Sequence, residues 1–144
     1  MFSKSCEYGL RAVLFVGDKT SDNKKVSLTD IALGIDSPQA FTAKVLQQLT
    51  KNKIVSSVKG PYGGFFIDEE CMNTILLSDV VNIFEGRLTY DGCGLGLSKC
   101  DSKSPCPLHF QFVEIRKNLK KMLNVSLSEA LGDNKDDNLV WLKR

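Results

Sequence analysis

The feature that most constrains the fold of this chain is a glycine-rich turn between two short β-prone segments, placed directly after three amphipathic helical segments. The β-prone segments are 54–58 and 65–67, and the turn at 59–64 holds one proline and three glycines. This composition predicts the tip of a β-hairpin. Val26 is expected to add a further short strand. The order helix, helix, helix, hairpin predicts a winged helix-turn-helix, so we expect a mainly α protein with a small β-hairpin wing.

The three helical segments are predicted from apolar spacing and from residues that begin and end helices. Apolar residues recur at near-helical spacing over 3–17, and Ser27 begins a pattern similar to a capping box that opens a short helix ending at Gly34. Ser37 as N-cap and Pro38 as the first helical residue start the third helix. Two short helices joined by a tight turn predict a helix-turn-helix.

The third helix and the hairpin carry the residues expected to contact DNA. In a winged helix, side chains of the recognition helix reach base edges in the major groove, and the wing contacts the minor groove or the phosphates. Residues 1–66 carry a net charge of +4, and the rest of the chain carries −2, which suits a polyanionic partner. The alternative is a winged helix used for protein contacts. The expected DNA contacts are Ser37, Gln39, Thr42, Lys44 and Gln48 on the helix, and Lys59, Gly60, Tyr62 and Gly63 on the wing.

Three of the five cysteines fall within fourteen residues, in the order Cys93-x6-Cys100-x5-Cys106-x2-His109. In a reducing compartment such a group is more often metal-binding or redox-active than a structural disulfide. Thiolates suit iron–sulfur clusters and zinc, and the absence of a paired C-x2-C motif makes a zinc ribbon the weaker interpretation. His109 follows Cys106 by one helical turn and is a candidate fourth ligand. Cys6 and Cys71 are interpreted as small buried apolar residues.

A long helix is predicted after the cysteine-rich loop. Over 107–123 the apolar residues step by four, three, four and three, which places them in one stripe on a helix. A stripe of this length needs a partner surface. A second copy of the chain is favoured over the chain's own winged helix, because a dimer matches a palindromic operator. The stripe consists of Leu108, Phe112, Ile115, Leu119 and Met122.

The 144 residues are 42 % apolar and 25 % charged, which excludes a disordered chain, a collagen-like repeat and a disulfide miniprotein. No apolar run approaches the roughly 18 residues that span a bilayer, and the N-terminus lacks a secretory signal, so a cytoplasmic protein is expected. No phosphate loop, nucleophile triad or paired acid–base motif stands out, so we do not expect an enzyme. The expected parts are a winged helix-turn-helix DNA-binding domain (1–86), a cysteine-rich loop (87–106), a dimerisation helix with a short terminal turn (107–132) and a flexible tail (133–144).

Four stretches of the sequence occur in the order seen in a known family. They are Ser3–Ala12, Ala43–Leu49, Val58–Phe65 and Cys106–His109. On these motifs the chain resembles the Rrf2 family of bacterial winged-helix regulators, in its iron–sulfur branch of IscR-like and NsrR-like members, over roughly residues 1–131. The resemblance implies a homodimeric transcription regulator, usually a repressor, that binds double-stranded DNA and holds an iron–sulfur cluster near the dimer interface.

The resemblance also implies a set of ligands for that cluster, of the 2Fe–2S or 4Fe–4S type. Cys93, Cys100 and Cys106 match the three cluster cysteines, and His109 matches the fourth ligand of IscR-like members. In some NsrR-like members the fourth ligand is an acidic residue of the other protomer, and the candidate here is the partner subunit's Glu7. The implied signal is nitric oxide, redox state or the supply of iron and clusters. Two alternatives stay open, a cluster-free thiol–disulfide switch and a zinc-stabilised protein-interaction adaptor.

Overall fold

The computed structural model describes residues 1–20, 24–132 and 142–143, and these residues form helices around one two-stranded hairpin. No helix in this part of the chain is both long and apolar enough to cross a membrane. The predicted mainly α fold with a small wing is confirmed. The helices are α1 (Lys4–Thr20), α2 (Leu28–Gly34), α3 (Gln39–Lys51), α4 (Glu69–Thr74), α5 (Leu77–Glu85), α6 (Leu88–Asp91), α7 (His109–Leu123) and α8 (Leu127–Leu131), and the strands are β1 (Ser56–Val58) and β2 (Gly64–Phe66).

The helix-turn-helix consists of α2 and α3, which share one apolar core with α1. As predicted, Ser27 caps α2, since its hydroxyl accepts a hydrogen bond from the Asp30 N–H at 3.1 Å. The helix α3 begins one residue later than predicted, with Pro38 at the N-cap and no side-chain cap. Ser37 belongs to the turn instead, because its N–H donates to the Ala32 carbonyl at 2.9 Å and so closes the end of α2.

The wing is formed by the antiparallel strands β1 and β2. One residue that precedes α2, Val26, extends it. Val26 accepts a hydrogen bond from the Phe65 N–H at 2.7 Å and donates to the Phe65 carbonyl at 2.9 Å, so the predicted third strand exists as a single bridge. Gly64 has φ +147°, and a Cβ there would lie 2.9 Å from the Val26 carbonyl oxygen. The close approach of these backbones therefore requires glycine at this position.

Two short helices lie where the sequence predicted none. The helix α6 interrupts the segment 87–106, which was expected to be a loop, and places Tyr90 in a second small core with Cys6 and Leu123. The helix α4 follows the wing directly. Both span fewer than two turns, and an apolar repeat cannot be recognised over so few residues.

The predicted flexible tail includes a core residue. Leu142 is fully buried in the main core, and its carbonyl accepts a hydrogen bond from the Arg11 guanidinium at 3.3 Å. The prediction is therefore wrong at Leu142, because burial of its side chain fixes the chain there. The other residues of the predicted tail, 133–141 and Arg144, lie outside the described part of the chain.

The predicted apolar stripe of α7 divides between two environments. One face packs on the chain itself, with His109 and Leu123 buried and Leu119 half-buried against the second core. The neighbouring face stays exposed. Its apolar residues recur every seven positions, or about two helical turns, from the residue just before the helix to its last turn: Leu108, Ile115 and Met122.

Candidate nucleic-acid interface and cysteine-rich site

The recognition helix α3 exposes polar side chains on the side away from the core. Gln39, Lys44 and Gln48 are exposed, whereas Ser37 in the preceding turn is half-buried. The Gln39 amide nitrogen lies 3.4 Å from the Thr29 hydroxyl of α2, a long contact between the two helices at the surface. The three exposed side chains are thus available to a groove of nucleic acid.

Thr42 does not belong to this surface. It is fully buried, and its hydroxyl donates to the Pro38 carbonyl at 3.0 Å. A side chain with no exposed surface cannot reach a base edge, so the prediction that Thr42 contacts DNA is wrong. Helical spacing gives the reason, because Thr42 lies three and four residues before the buried Val45 and Leu46.

The tip of the wing projects an aromatic and a basic side chain into solvent. Tyr62 is 91 % exposed, and Lys59 and Gly60 are exposed beside it. The Gly63 N–H donates to the Gly60 carbonyl at 3.0 Å, and Gly60 has φ +104°, so this turn depends on glycine. The tight turn fixes the direction of the wing while leaving Lys59 and Tyr62 free to contact a partner.

Arg11 on α1 anchors the helix-turn-helix, a role that the sequence analysis did not find. Its guanidinium lies 4.1 Å from the centre of the Tyr8 ring and donates to the Ile35 carbonyl at 3.1 Å, in the turn after α2. Tyr8 in turn packs edge-on against Phe41 of α3, with ring centres 5.3 Å apart. An arginine among the apolar positions of α1 was the available signal.

The cysteine-rich loop brings its four predicted ligands together as two pairs. The Cys100 sulfur lies 3.3 Å from the His109 Nδ1, and the Cys106 side chain is near enough to Cys93 to contribute to the lowered pKa of its thiol. Within residues 1–20, 24–132 and 142–143, no three Cys, His, Asp or Glu side chains form a metal-binding arrangement. The structure therefore pairs the predicted ligands without gathering them at one point. Glu7, the alternative ligand, pairs in its own protomer with Lys4 at 2.8 Å.

Hydrogen bonds distinguish Cys93 from the two cysteines outside the loop. The backbone N–H of Leu95, followed by that of Leu97, lowers the pKa of the Cys93 thiol below its usual value. Burial raises the pKa of Cys6 to about 12, and burial also raises the pKa of Cys71. Cys6 is fully buried, which confirms its predicted role as a small core residue, and Cys71 is half-buried against the main core. The thiolate, which binds metals and reacts with electrophiles, is therefore favoured at Cys93.

Arg116 on α7 is a site residue that the sequence analysis missed. Its guanidinium donates to the Gly92 carbonyl and to the Cys100 sulfur, the latter at 3.3 Å. Its Nε is buried and has no hydrogen-bond partner among the residues that the structure describes. The available signal was its spacing, since Arg116 follows His109 by seven residues and so lies on the same face of α7.

The candidate ligands around Arg116 fit an iron–sulfur cluster in their chemistry. Three cysteine sulfurs and one imidazole are ligand types that such clusters take, and a thiolate-ligated centre offers anionic sulfur to donors around it. The unpartnered Arg116 Nε supplies a buried donor beside Cys100. A single centre that used all four ligands would require the two pairs to be drawn together.

Comparisons with known proteins agree with this architecture. Residues 2–132 match the Rrf2 family, described as iron-dependent transcriptional regulators. A protein of Aquifex aeolicus (strain VF5) assigned as an HTH-type transcriptional regulator is 30 % identical over 122 residues, which cover 83 % of each chain. The HTH-type transcriptional regulator IscR of Klebsiella pneumoniae (strain 342) is 25 % identical over 127 residues, covering 88 % of this chain and 76 % of IscR.

Two solved structures share the fold. CymR of B. subtilis, the global cysteine regulator, matches with a TM-score of 0.74 at 22 % identity, over 94 % of this chain and 98 % of CymR. IscR of T. potens matches with a TM-score of 0.72 at 21 % identity, over 96 % of this chain and 91 % of IscR. Because the family match extends over residues 2–132 of the 144, this chain belongs to the Rrf2 family of transcriptional regulators.

Proposed function

We propose that the protein is a homodimeric repressor that binds a palindromic operator and whose affinity for DNA depends on an iron–sulfur cluster in the cysteine-rich loop. The observation that carries the proposal is the contact of Cys100 with His109 at 3.3 Å, because His109 is the first residue of α7. The chemical state of the loop is thereby connected to the helix that we assign to dimerisation.

The DNA-binding part of the proposal rests on the exposed side chains of α3 and the wing. Gln39, Lys44 and Gln48 would enter the major groove, and Lys59 with Tyr62 would contact the adjacent backbone and minor groove. The positive charge of residues 1–66 supports a nucleic-acid partner over a protein partner.

The dimer rests on the exposed stripe of α7, defined above as Leu108, Ile115 and Met122. Apolar residues repeated every seven positions form a seam along which two helices can pack. A two-fold axis through this seam would present two copies of α3 to the two halves of a palindromic operator.

The residues that would hold the cluster are Cys93, Cys100 and Cys106, with His109 as fourth ligand and the partner subunit's Glu7 as the alternative. When bound, an iron–sulfur cluster supplies redox-active iron and sulfide that react with oxidants and nitric oxide. The ligands on the loop and on α7 would be tied together in one state and released in the other. Such control requires two states of the protein with different affinities for DNA.

Anaerobic purification tests the cofactor and the control together. We expect visible thiolate-to-iron absorption, iron and sulfide in matching amounts, and an operator affinity that differs by roughly 5- to 150-fold between the forms with and without cluster. Cys100→Ala is expected to keep the winged helix and its nonspecific DNA binding but to lose the response. Equal operator affinities of the two forms would contradict the proposed control.

A second function, a thiol–disulfide switch without a cluster, is favoured by one observation. The pKa of Cys93 is lowered mainly by two backbone N–H groups, and the nearby Cys106 side chain lowers it further. Such a pair is suited to disulfide formation once an oxidant is present. A colourless protein under anaerobic conditions, with a reversible Cys93–Cys106 disulfide after oxidation by hydrogen peroxide, would select this function instead.

A further inference from the structure

We propose that Arg116 is a positioning residue of the site formed by Cys93, Cys100, Cys106 and His109. Arg116 holds the cysteine-rich loop against α7 and donates hydrogen bonds to the sulfur of the ligands. The inference deepens the function proposed above, and only its second measurement depends on a cluster being present. The guanidinium makes two contacts, one with the Gly92 carbonyl and one with the Cys100 sulfur.

The two contacts close the first half of the loop onto α7. Gly92 follows α6 directly, and Cys100 lies eight residues further along the chain. One side chain of α7 thus binds both ends of this segment, and His109, two turns earlier on the same helix, contacts Cys100 from a second direction. Two side chains of α7 therefore hold Cys100 in position.

The unpartnered Nε indicates that Arg116 does more than brace the loop. A guanidinium has five N–H donors, and a buried donor without an acceptor is unfavourable because it has lost its hydrogen bond to water. The Arg116 Nε is such a donor, next to a sulfur that its own terminal nitrogen already contacts. Additional anionic sulfur at the site would satisfy this N–H.

The positive charge of Arg116 lies beside the Cys100 sulfur. A cation that donates to ligand sulfur favours the more negative, reduced state of a bound cluster and so raises its reduction potential. Arg116 would therefore influence both the order of the loop and the electron affinity of the site.

Two variants and one control separate these effects. Arg116→Gln removes the charge and the fork of donors, and Arg116→Lys keeps the charge but cannot contact Gly92 and Cys100 in the same planar way. Lys117→Gln is the control, because it removes a positive charge from the next, exposed position of α7. Retained protection of the α3 amides shows that each variant is folded.

The first measurement is hydrogen–deuterium exchange of the full chain, reduced and free of metal. We expect the amides of 92–100 to exchange at least tenfold faster in Arg116→Gln, to an intermediate degree in Arg116→Lys, and at the parent rate in Lys117→Gln. Unchanged exchange of this segment in Arg116→Gln would overturn the proposal whether or not the protein binds a cluster.

The second measurement uses protein reconstituted with iron and sulfide. We expect the reduction potential of Arg116→Gln to shift to more negative values, and its iron to pass to a chelator about 10- to 100-fold faster than in the parent, as for other lost partners of metal ligands. Arg116→Lys should recover part of the potential but little of the loop order. A reconstituted Arg116→Gln with the parent potential would overturn the proposed donation to sulfur. Failure of the parent itself to take up a cluster would instead contradict the function proposed above and leave the exchange measurement to decide the role of Arg116.

Discussion

Replacing Thr42 by alanine would remove a buried hydroxyl that donates to the Pro38 carbonyl at 3.0 Å, together with a methyl group of the core. We expect this change to lower the free energy of unfolding by about 1–2 kcal/mol, because a buried hydrogen bond and some packing are lost. The ranking of operator variants should stay the same, since the side chain reaches no solvent. Urea denaturation and binding to single-base operator variants measure the two effects.

Thr42→Val serves as the control for that variant. Valine keeps the branched shape but lacks the hydroxyl, so it should lose less stability than alanine. An altered base preference at one operator position in Thr42→Ala would contradict the buried position of the residue.

The cysteines are expected to differ in reactivity because their surroundings shift their pKa values in opposite directions. Hydrogen bonds from the Leu95 and Leu97 N–H groups lower the pKa of Cys93, so its thiolate forms at a lower pH than that of an ordinary thiol. Burial raises the pKa of Cys6 to about 12, so Cys6 stays a protonated, inaccessible thiol at neutral pH. With reduced, metal-free protein at pH 7, iodoacetamide should alkylate Cys93 while Cys6 reacts only after denaturation. Peptide mass spectrometry over time measures both, and equal rates in the folded protein would refute the assignment.

At the scale of elements, the wing is expected to act as a phosphate contact that does not depend on DNA sequence. Lys59 is exposed beside the fixed turn of Gly60 and Gly63. Lys59→Ala should weaken binding to all DNA sequences and reduce the dependence of log K on log salt by about one unit, as expected for one lost phosphate contact. Fluorescence anisotropy at several salt concentrations measures the slope. Lys121→Ala on α7 is the control, and an unchanged slope in Lys59→Ala would remove the wing from the interface.

The exposed stripe of α7 predicts how the chain associates. Ile115 lies in the middle of the stripe, and Ile115→Asp would place a charge in the packed seam, where an unpaired carboxylate is unfavourable. We expect a monomer by analytical ultracentrifugation, with helix content unchanged by circular dichroism. Lys117→Asp changes an exposed residue on another face of the same helix and should leave a dimer. A dimeric Ile115→Asp would show that another surface joins the protomers.

The sequence predicted those elements whose signals are local. A few neighbouring residues specify the Ser27 cap and the glycine-rich wing, and one continuous stretch specifies the long apolar repeat of α7. Each lies where it was expected. The helix α6 was not predicted because an apolar repeat cannot be recognised over four residues. The pairing of Cys100 with His109, and of Cys93 with Cys106, depends on how the loop packs on α7, which spacing along the chain does not determine.

At the scale of the whole molecule, the candidate ligands and the side chains proposed to contact DNA occupy separate parts of one fold. Sequence patterns proposed both sets, but they did not identify the residues that hold them in place. Arg11 and Arg116 each bind backbone carbonyls far away in the sequence, those of Ile35 and Gly92 respectively. Such contacts exist only after folding, so the positions of the two arginines in the sequence signal the residues themselves but not the carbonyls that they bind.

The burial of Leu142 has a consequence for where the cooperative unit of this protein ends. The family match stops at residue 132, yet Leu142 lies fully buried ten residues later and accepts a hydrogen bond from Arg11. Leu142→Ala should lower the free energy of unfolding by about 2–5 kcal/mol, the usual cost of removing a buried leucine side chain. Calorimetry of this variant, beside a chain that ends at residue 132, should show a lowered melting temperature in both, and an unchanged value in both would contradict this role. A boundary drawn from similarity would then cut through the folding unit, because Leu142 and the turn between α2 and α3, which both accept hydrogen bonds from Arg11, would unfold together.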